Sequence, residues 1–324
     1  MKILVTGAGS MLGSAVAESL AARGDDVTVL QRRPSGLPHR EVLADIADQS
    51  AVRAAVTGHD AVVHLAAKVD IQGRYREFAR VNVDGTRNVV AACRDTGVTR
   101  LVHVSTPAVA HSGTSLVGAA AGPAEPRSAR GHYARSKAAA ELVALAADAA
   151  PDGPSTVVLR PHLVWGPGDT QLVGRIITRA RAGRLPVVGS GAALIDTTYV
   201  SNAADALIAA LDRCEEAHGQ ALVVSNGEPR PVAELLSAIC RAAGVRPPRR
   251  AVPAPLARTA GAVVEAIWTT SAGRRLGEPP MTRFLAEQLS TAHWFDQRRT
   301  RQVLGWSPRV SLDEGLAVLA RHRA

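Results

Sequence analysis

The chain of 324 residues has few cysteines, few aromatic residues and very few lysines. Its three cysteines, Cys93, Cys214 and Cys240, lie far apart without metal-ligand spacing, which argues against a disulfide framework and favours a reducing cytosol. No run of about 18 uncharged apolar residues occurs, and the N-terminus lacks the pattern of a signal peptide. We therefore expect a cytoplasmic protein without a membrane span. The ten histidines form no HxxxH or HExxH pattern, so we expect no metal site.

The net charge of +9 comes almost entirely from arginine. Such a charge can indicate a nucleic-acid partner. The arginines, however, occur as short scattered pairs such as Arg32-Arg33 and Arg249-Arg250, without a long basic run interleaved with aromatic residues. We therefore interpret the charge as a composition bias over the surface and expect no nucleic acid to bind.

Short β-branched runs alternate with helical stretches through the first half of the chain. The runs are apolar on both faces, as parallel strands covered by helices must be. Gly24 and Gly97 stand where the first and a later helix should end. This alternation predicts an α/β protein with a doubly wound parallel sheet. The strand candidates are KILVTG, VTVLQ, AVVHLAA, RLVHVST and TVVLRP.

A glycine-rich turn, TGAGSMLG at 6–13, follows the first strand and opens the first helix. Glycines allow a tight turn and let a pyrophosphate approach the helix N-terminus, where free N–H groups favour an anion. This context is the one that a Rossmann dinucleotide site requires. The candidate contacts in the turn are Gly7, Gly9, Ser10, Met11, Leu12 and Gly13.

Tyr133 and Lys137 stand four residues apart in a predicted helix, and so share one of its faces. The chain has only three tyrosines, and nearly all of its basic residues are arginines. A tyrosine and a lysine at this spacing are therefore unlikely to occur by chance. Tyrosine has an ordinary pKa of about 10. A neighbouring ammonium should lower the pKa of Tyr133 towards the range useful for proton exchange.

The TGxxGxxG turn followed by Tyr-x-x-x-Lys resembles the extended short-chain dehydrogenase/reductase family. Further matching stretches are HLAAK (64–68), VNVDGTRNVV (81–90), RPHLVWGPGD (160–169) and DTTYVSN (196–202). One departure is Ser10 in the position of the second glycine. The resemblance implies a smaller, mostly helical substrate-binding lobe. It also implies that Lys137 bonds to the nicotinamide ribose. Further cofactor contacts would come from Tyr133, Lys137, Asp45, Ile46, Leu65, Ala66, Ala67, Asn82, Pro161 and Leu163.

The resemblance also implies a catalytic hydroxyl at the end of the fifth strand. Register against the family pattern favours Thr106 for this role, with Ser105 as the alternative. The catalytic set would then be Thr106, Tyr133 and Lys137. Thr106 would hold the substrate oxygen that Tyr133 protonates or deprotonates.

Cofactor choice is read at the end of the second strand, where an NAD site places an acidic residue on the ribose 2′-hydroxyl. This chain has Gln31 there, followed by Arg32 and Arg33. The missing carboxylate and the two candidate phosphate-binding arginines favour NADP over NAD.

The two residues after Thr106 help to decide which type of reaction is expected. Pro107 and Ala108 replace the Asp-Glu pair that sugar-nucleotide dehydratases of the family use for elimination. A ketone–alcohol oxidoreductase of the 3β-hydroxysteroid-dehydrogenase-like branch fits better. Within that branch the stretch 279–296 resembles the bacterial 2-alkyl-3-ketoalkanoate reductases, so we expect a small lipophilic ketone or alcohol as substrate. A nucleotide-sugar 4-epimerase with bound NAD(P) and a non-catalytic dinucleotide sensor remain as alternatives.

The resemblance divides the chain into a dinucleotide-binding domain at 1–165, to which 196–225 returns, and a substrate-binding lobe at 166–195 and 226–324. In that lobe 255–268 predicts an amphipathic helix that caps it, with Leu256, Val263 and Ile267 among its apolar positions. The side-chain-poor loop 111–125 suits a mobile flap or a disordered segment. His111 and His162 are candidates for substrate contact or for packing. If the chain assembles, we expect a homodimer.

Overall fold

The computed structural model describes residues 1–70, 73–111, 113–269 and 282–322. Its strands, numbered in chain order, are β1 Lys2–Thr6, β2 Asp26–Gln31, β3 Arg40–Leu43, β4 Ala61–His64, β5 Arg100–Val104, β6 Leu116–Ala119, β7 Ser155–Pro161, β8 Val164–Trp165, β9 Val187–Val188, β10 Leu194–Ile195, β11 Thr198–Tyr199, β12 Ala221–Val224, β13 Arg230–Pro231, β14 Ala251–Val252 and β15 His293–Phe295.

The helices account for most of the remaining described chain. A π-helical segment, Ala79–Asp84, precedes α4, and a 3₁₀ turn, Pro107–Ala110, follows β5. The α-helices are α1 Met11–Ala22, α2 Gln49–Val56, α3 Tyr75–Phe78, α4 Gly85–Thr96, α5 Gly131–Asp148, α6 Val173–Arg181, α7 Val200–Asp212, α8 Cys214–Ala217, α9 Val232–Ala242, α10 Ala254–Thr269, α11 Arg283–Ser290, α12 Arg298–Leu304 and α13 Leu312–Arg321.

Seven strands form one parallel sheet in the order β12-β7-β5-β4-β1-β2-β3. The strand order reverses direction at β1, which is the doubly wound arrangement, so the predicted α/β fold is confirmed. The carboxyl ends of β1, β2, β4 and β5 meet at one edge. Residues that follow those strands are therefore brought together there.

Successive residues of a strand point to opposite faces of the sheet, and each face is covered by helices. Val5 packs into a core with Leu20 of α1 and Leu207 of α7. Its neighbour Leu4 packs into the other core, with Val89 of α4. Both faces of the strand are buried, which explains why its sequence is apolar without alternation.

A second, four-stranded sheet in the order β13-β10-β15-β6 joins distant parts of the chain. β6 lies within the loop 111–125 and pairs in parallel with β15. The interpretation of this stretch as a mobile flap or a disordered segment is therefore wrong for residues 116–119. They are tied into a sheet by backbone hydrogen bonds, such as Leu116 N to Ala292 O at 2.7 Å.

Helix α10 forms where the amphipathic pattern predicted it, but it packs through a different face. Leu256 and Val263 are 60% and 55% exposed, whereas Ala257 is buried. A Cβ at Gly261 would lie 2.5 Å from the backbone nitrogen of Arg283. Small residues thus let α11 approach closely, and the larger apolar residues are left outside. Among the described residues, no helix combines the length and the apolar character needed to cross a membrane.

Candidate active site

The turn between β1 and α1 is shaped by contacts that only glycine permits. Gly7 has a φ of +77°, and a Cβ there would lie 2.8 Å from Ala66 Cα. A Cβ at Gly13 would lie 2.3 Å from the carbonyl oxygen of Gly7. Ser10, the departure from the family pattern, is the N-cap of α1. Its hydroxyl donates to Gly7 O and accepts from Gly13 N, which holds the turn in shape.

This turn places the N-terminus of α1 at the carboxyl edge of the sheet, where the helix dipole and free N–H groups favour a phosphate. Met11 and Leu12 form the first turn of that helix. Close packing at Gly7 and Gly13 holds the turn against the end of β4, and the N–H groups of the first helical turn are the donors that fit a bound pyrophosphate.

The segment after β4 forms the adjacent wall. Thr6 Oγ1 accepts from Ala66 N at 3.1 Å, which ties the ends of β1 and β4 together. Leu65 and Ala67 flank this contact and are partly buried. The predicted residues of β4 therefore do lie against the glycine-rich turn.

Asn82 connects this wall to the catalytic helix. It lies in the π-helical segment, and its side chain is 1% exposed. Its Oδ1 accepts from Lys68 N at 2.7 Å, and its Nδ2 donates to Lys68 O and to Ser136 Oγ at 2.9 Å. Since Ser136 precedes Lys137, Asn82 fixes the position of α5 relative to β4.

Tyr133 lies in the first turn of α5, and its phenol is close enough to the Thr106 side chain for that side chain to act on the Tyr133 pKa. Thr106 follows β5 and is the N-cap of the 3₁₀ turn. The structure therefore brings together the two residues assigned to the substrate oxygen. The pKa of Tyr133 departs from the expectation: burial raises it to about 12, and only the Thr106 side chain acts in the opposite direction.

Lys137 is one turn further along α5 and is 3% exposed. Its Nζ donates to Val104 O at 2.6 Å. Burial lowers the pKa of Lys137 to about 8, opposed by the carboxylate of Glu141. The Nζ of Lys137 hydrogen bonds to the end of β5, and the expected lowering of the Tyr133 pKa is not seen because burial of the phenol dominates. An ammonium has three donors, and this bond uses one of them.

A buried ion pair lies beneath these residues. Arg160 and Glu141 have side chains that are each 1% exposed, and Arg160 donates to both carboxylate oxygens. Glu141 also accepts from Ser105 Oγ at 2.6 Å, and Arg160 donates to Gly122 O at 2.7 Å. The alternative hydroxyl, that of Ser105, is thus bonded to Glu141, whereas the hydroxyl of Thr106 lies near Tyr133.

The residues predicted to contact the adenosine part of the cofactor lie at β2 and β3. Gln31 is 8% exposed and ends β2, while Arg32 and Arg33 are exposed beyond it. Asp45 accepts from Ala47 N and pairs with Arg80 at 2.6 Å. Ile46 is buried, and a Cβ at Gly85 would lie 2.7 Å from its side chain.

The end of β7 carries the last two predicted contacts. Pro161 is buried. Leu163 has a φ of +44°, the left-handed conformation that L-residues other than glycine avoid. A strained backbone of this kind persists where the surroundings hold it and often lies at a functional site.

His111 and His162 are both buried and lie near a third histidine that the sequence patterns did not single out, His293. The rings of His111 and His293 meet edge to face at 4.7 Å, and those of His162 and His293 are 6.2 Å apart. His162 Nδ1 hydrogen bonds to Asp196 O at 2.7 Å. Within the described residues no group of three or more His, Cys, Asp or Glu side chains has metal-binding geometry. The histidines therefore pack as neutral rings.

Sequence reasoning missed Glu141, Arg160 and Glu41. The position of Glu141, one turn after Lys137 on the same helix face, was available as a signal. Glu41 is bonded to Gln31 and Ser35, and Arg160 reaches Glu141 from β7. These contacts depend on strand register, which the sequence does not display.

Comparison with known proteins agrees with this geometry. The sequence model described as the NAD dependent epimerase/dehydratase family matches residues 3–225. A 2-alkyl-3-oxoalkanoate reductase of Stenotrophomonas maltophilia is 43% identical over 98% of this chain and 97% of its own length. A 3 beta-hydroxysteroid dehydrogenase/Delta 5→4-isomerase of Mycobacterium tuberculosis is 31% identical over 97% of this chain and 88% of its own length.

Solved structures share the whole fold. MoeE5 in complex with UDP-glucose and NAD is 26% identical, covers 99% of this chain and 98% of its own, and superposes with a TM-score of 0.76. A UDP-N-acetylglucosamine 4-epimerase from Bacillus cereus has a TM-score of 0.73 at 20% identity, with 100% of this chain and 99% of its own covered. At that identity the likeness shows the fold alone.

Proposed function

The chain belongs to the NAD dependent epimerase/dehydratase family and is an NAD(P)-dependent oxidoreductase of the extended short-chain type; on that premise we propose that it is an NADP(H)-dependent ketoreductase. It interconverts a ketone and a secondary alcohol on a lipophilic substrate, for which a 2-alkyl-3-keto acid is the leading candidate. The observation that carries this proposal is the 43% identity to a 2-alkyl-3-oxoalkanoate reductase across 98% of the chain. The contact between Thr106 and Tyr133 supports it.

The proposed chemistry uses three side chains. When bound, the nicotinamide supplies the hydride. Thr106 orients the substrate oxygen, and Tyr133 donates a proton to it. A neutral phenol is the form that can donate, and the raised pKa of Tyr133 keeps it neutral at physiological pH. The Lys137 ammonium then stabilises the phenolate left behind, and its remaining donors serve the ribose hydroxyls.

The cofactor is proposed to be NADP, because Gln31 ends β2 where an NAD site has a carboxylate. Arg32 and Arg33, which carry guanidinium groups, come next in the chain and are exposed, and the charge of Arg32 also acts on the Asp45 carboxylate. A 2′-phosphate is a strong partner for such a group. The cofactor contacts proposed from the sequence cluster at this same edge of the sheet.

The proposed division of the chain follows the sheets. β12 lies beside β7 in the seven-stranded sheet, which supports assigning 196–225 to the dinucleotide-binding domain of 1–165. The short strands β9, β10 and β14 belong to small sheets and support a substrate-binding lobe of 166–195 and 226–324. Residues 270–281, and with them the start of the stretch 279–296, lie outside the described residues.

A screen of ketones tests the proposal by following NADPH absorbance. Medium-chain 2-alkyl-3-keto acids, steroid ketones and UDP-sugars are offered in parallel, each with NADPH and NADH. We expect reduction of a lipophilic ketone with NADPH. Interconversion of a UDP-sugar without net cofactor turnover would instead identify a 4-epimerase, the activity of a solved relative of the same fold.

A further inference from the structure

Three hydrogen-bond donors beyond the end of β2 converge on a single carboxylate oxygen. Glu41 Oε1 accepts from the backbone nitrogen of Ser35 at 2.9 Å and from the Ser35 hydroxyl at 2.7 Å. Gln31 Nε2 donates to the same oxygen. A backbone N–H, a hydroxyl and an amide that meet at one point form a set of donors suited to an anionic oxygen, whether of a carboxylate or of a phosphate.

This cluster borders the proposed cofactor site. Gln31 Oε1 faces the glycine-rich turn, since a Cβ at Gly9 would lie 3.0 Å from it. That oxygen is buried and has no hydrogen-bond partner among the described residues. In a doubly wound fold the adenosine ribose lies at the end of the second strand, beside this turn. The bond to Glu41 therefore turns the amide nitrogen of Gln31 away from the ribose and its oxygen towards it.

We propose that Glu41 is an internal anion that competes with the ribose 2′-phosphate for these donors, and so limits the preference for NADP over NAD. The inference rests on the proposed function, because it assumes that the dinucleotide binds at this edge. The two anions would repel each other and cannot share the same donors. A 2′-hydroxyl, by contrast, can donate to Gln31 Oε1. Arg32 and Arg33 favour the phosphate, and Glu41 opposes them.

The Glu41 carboxyl is ionised at neutral pH. The hydrogen bonds from the Ser35 hydroxyl and backbone hold the pKa of this carboxyl below its ordinary value. Glu41 is paired with Val29 in the β2–β3 register, so the strand pairing holds its backbone beside β2, two residues from the end of that strand at Gln31. The Glu41 carboxylate is therefore held at the edge of the sheet by the strand pairing.

Nucleotide fragments test this inference independently of turnover. Adenosine 2′,5′-bisphosphate and 5′-AMP differ only in the 2′-phosphate, and their affinities for the full chain are measured by calorimetry. For Glu41→Gln we expect affinity for the bisphosphate to rise by about tenfold at low salt, and affinity for 5′-AMP to change by less than about twofold. Glu18→Gln, an exposed residue of α1, makes the same change of charge and should alter neither affinity.

Glu41→Gln keeps the size of the side chain and one acceptor, and a thermal melt checks that it folds. Glu41→Ala is the second variant and should give the same gain. A bisphosphate-to-AMP affinity ratio that stays unchanged or falls in both variants overturns the inference. Equal affinity of the unsubstituted chain for the two fragments would instead overturn the proposed NADP preference. A gain on substitution would still support the role of Glu41 in that case.

Discussion

The side chain of Tyr133 is subject to opposing influences on its acidity. Burial raises its pKa to about 12, while the Thr106 side chain lowers it. In the described structure the Nζ of Lys137 hydrogen bonds to Val104 O. The neutral form that results is the one that can donate a proton, as the proposed reduction requires. The oxidative direction needs the phenolate and should be favoured at higher pH.

Tyr133→Phe removes one oxygen and keeps the ring, so folding and NADPH binding should survive. Loss of a general acid typically costs about 10²–10⁴-fold in rate, and we expect a loss in turnover of that order or larger because the hydroxyl also orients the carbonyl. Stopped-flow or steady-state NADPH oxidation measures it, with fluorescence titration of NADPH as the control. Turnover close to that of the unsubstituted enzyme would show that Tyr133 is an ordinary helix residue.

Lys137 should impose an alkaline limit on activity. Its pKa is lowered to about 8 by burial, so the ammonium loses its proton as the pH rises through that value. Reduction should therefore decline above about pH 8, after correction for substrate ionisation. Lys137→Arg keeps a positive charge that does not titrate near pH 8, but the guanidinium has a different shape from the ammonium. The variant enzyme should therefore be slower and bind NADPH more weakly, and its activity should not decline above about pH 8. A decline that persists unchanged in Lys137→Arg would assign it to another group.

At the scale of helices and strands, the sequence was sufficient where local pattern decides the outcome. An apolar β-branched run predicted β1 and a helical stretch closed by Gly24 predicted α1, and Tyr133 and Lys137 lie on one helix as their spacing required. Long-range register was not readable, so Glu41 was missed. α10 shows a third case: its apolar period is real, but the backbone approach at Gly261 decided which face is buried.

One ion-pair cluster ties the start of α5 to α11. Arg130, the N-cap residue of α5, donates to both oxygens of Glu287, and Arg283 pairs with the same carboxylate at 3.1 Å. Glu287 is 4% exposed. Since Tyr133 lies in the first turn of α5, this cluster links the proposed proton donor to the proposed substrate-binding lobe.

Glu287→Gln should therefore weaken substrate use more than cofactor binding. Removing a carboxylate shared by two guanidinium groups leaves charges less well paired, and we expect kcat/KM for the ketone to fall by about tenfold or more. The dissociation constant for NADPH should change less, because Glu287 pairs with Arg130 and Arg283, neither of which belongs to the glycine-rich turn. Glu234→Gln breaks the exposed Arg230 pair and serves as the matched control. An equal loss in both variants would attribute the effect to charge alone.

At the scale of the whole molecule, the buried histidines make stability dependent on pH. Burial lowers the pKa of His64 to about 3, that of His162 to about 4 and that of His293 to about 3. In the unfolded chain the pKa of each is about 6.5. Between about pH 4 and 6.5 the unfolded state therefore binds more protons, and the free energy of unfolding falls as the pH falls through this window.

Three such groups give a slope on the order of 4 kcal/mol per pH unit near pH 5. Asp196 acts in the opposite sense, because burial raises the pKa of that carboxyl. Urea unfolding at half-unit steps from pH 7 to 4.5 measures the slope. His162→Asn keeps a donor for Asp196 O and should reduce it by the contribution of about one proton. Exposed His322→Gln should leave the slope unchanged, and a flat profile in the unsubstituted chain would show that these rings are protonated in the folded state.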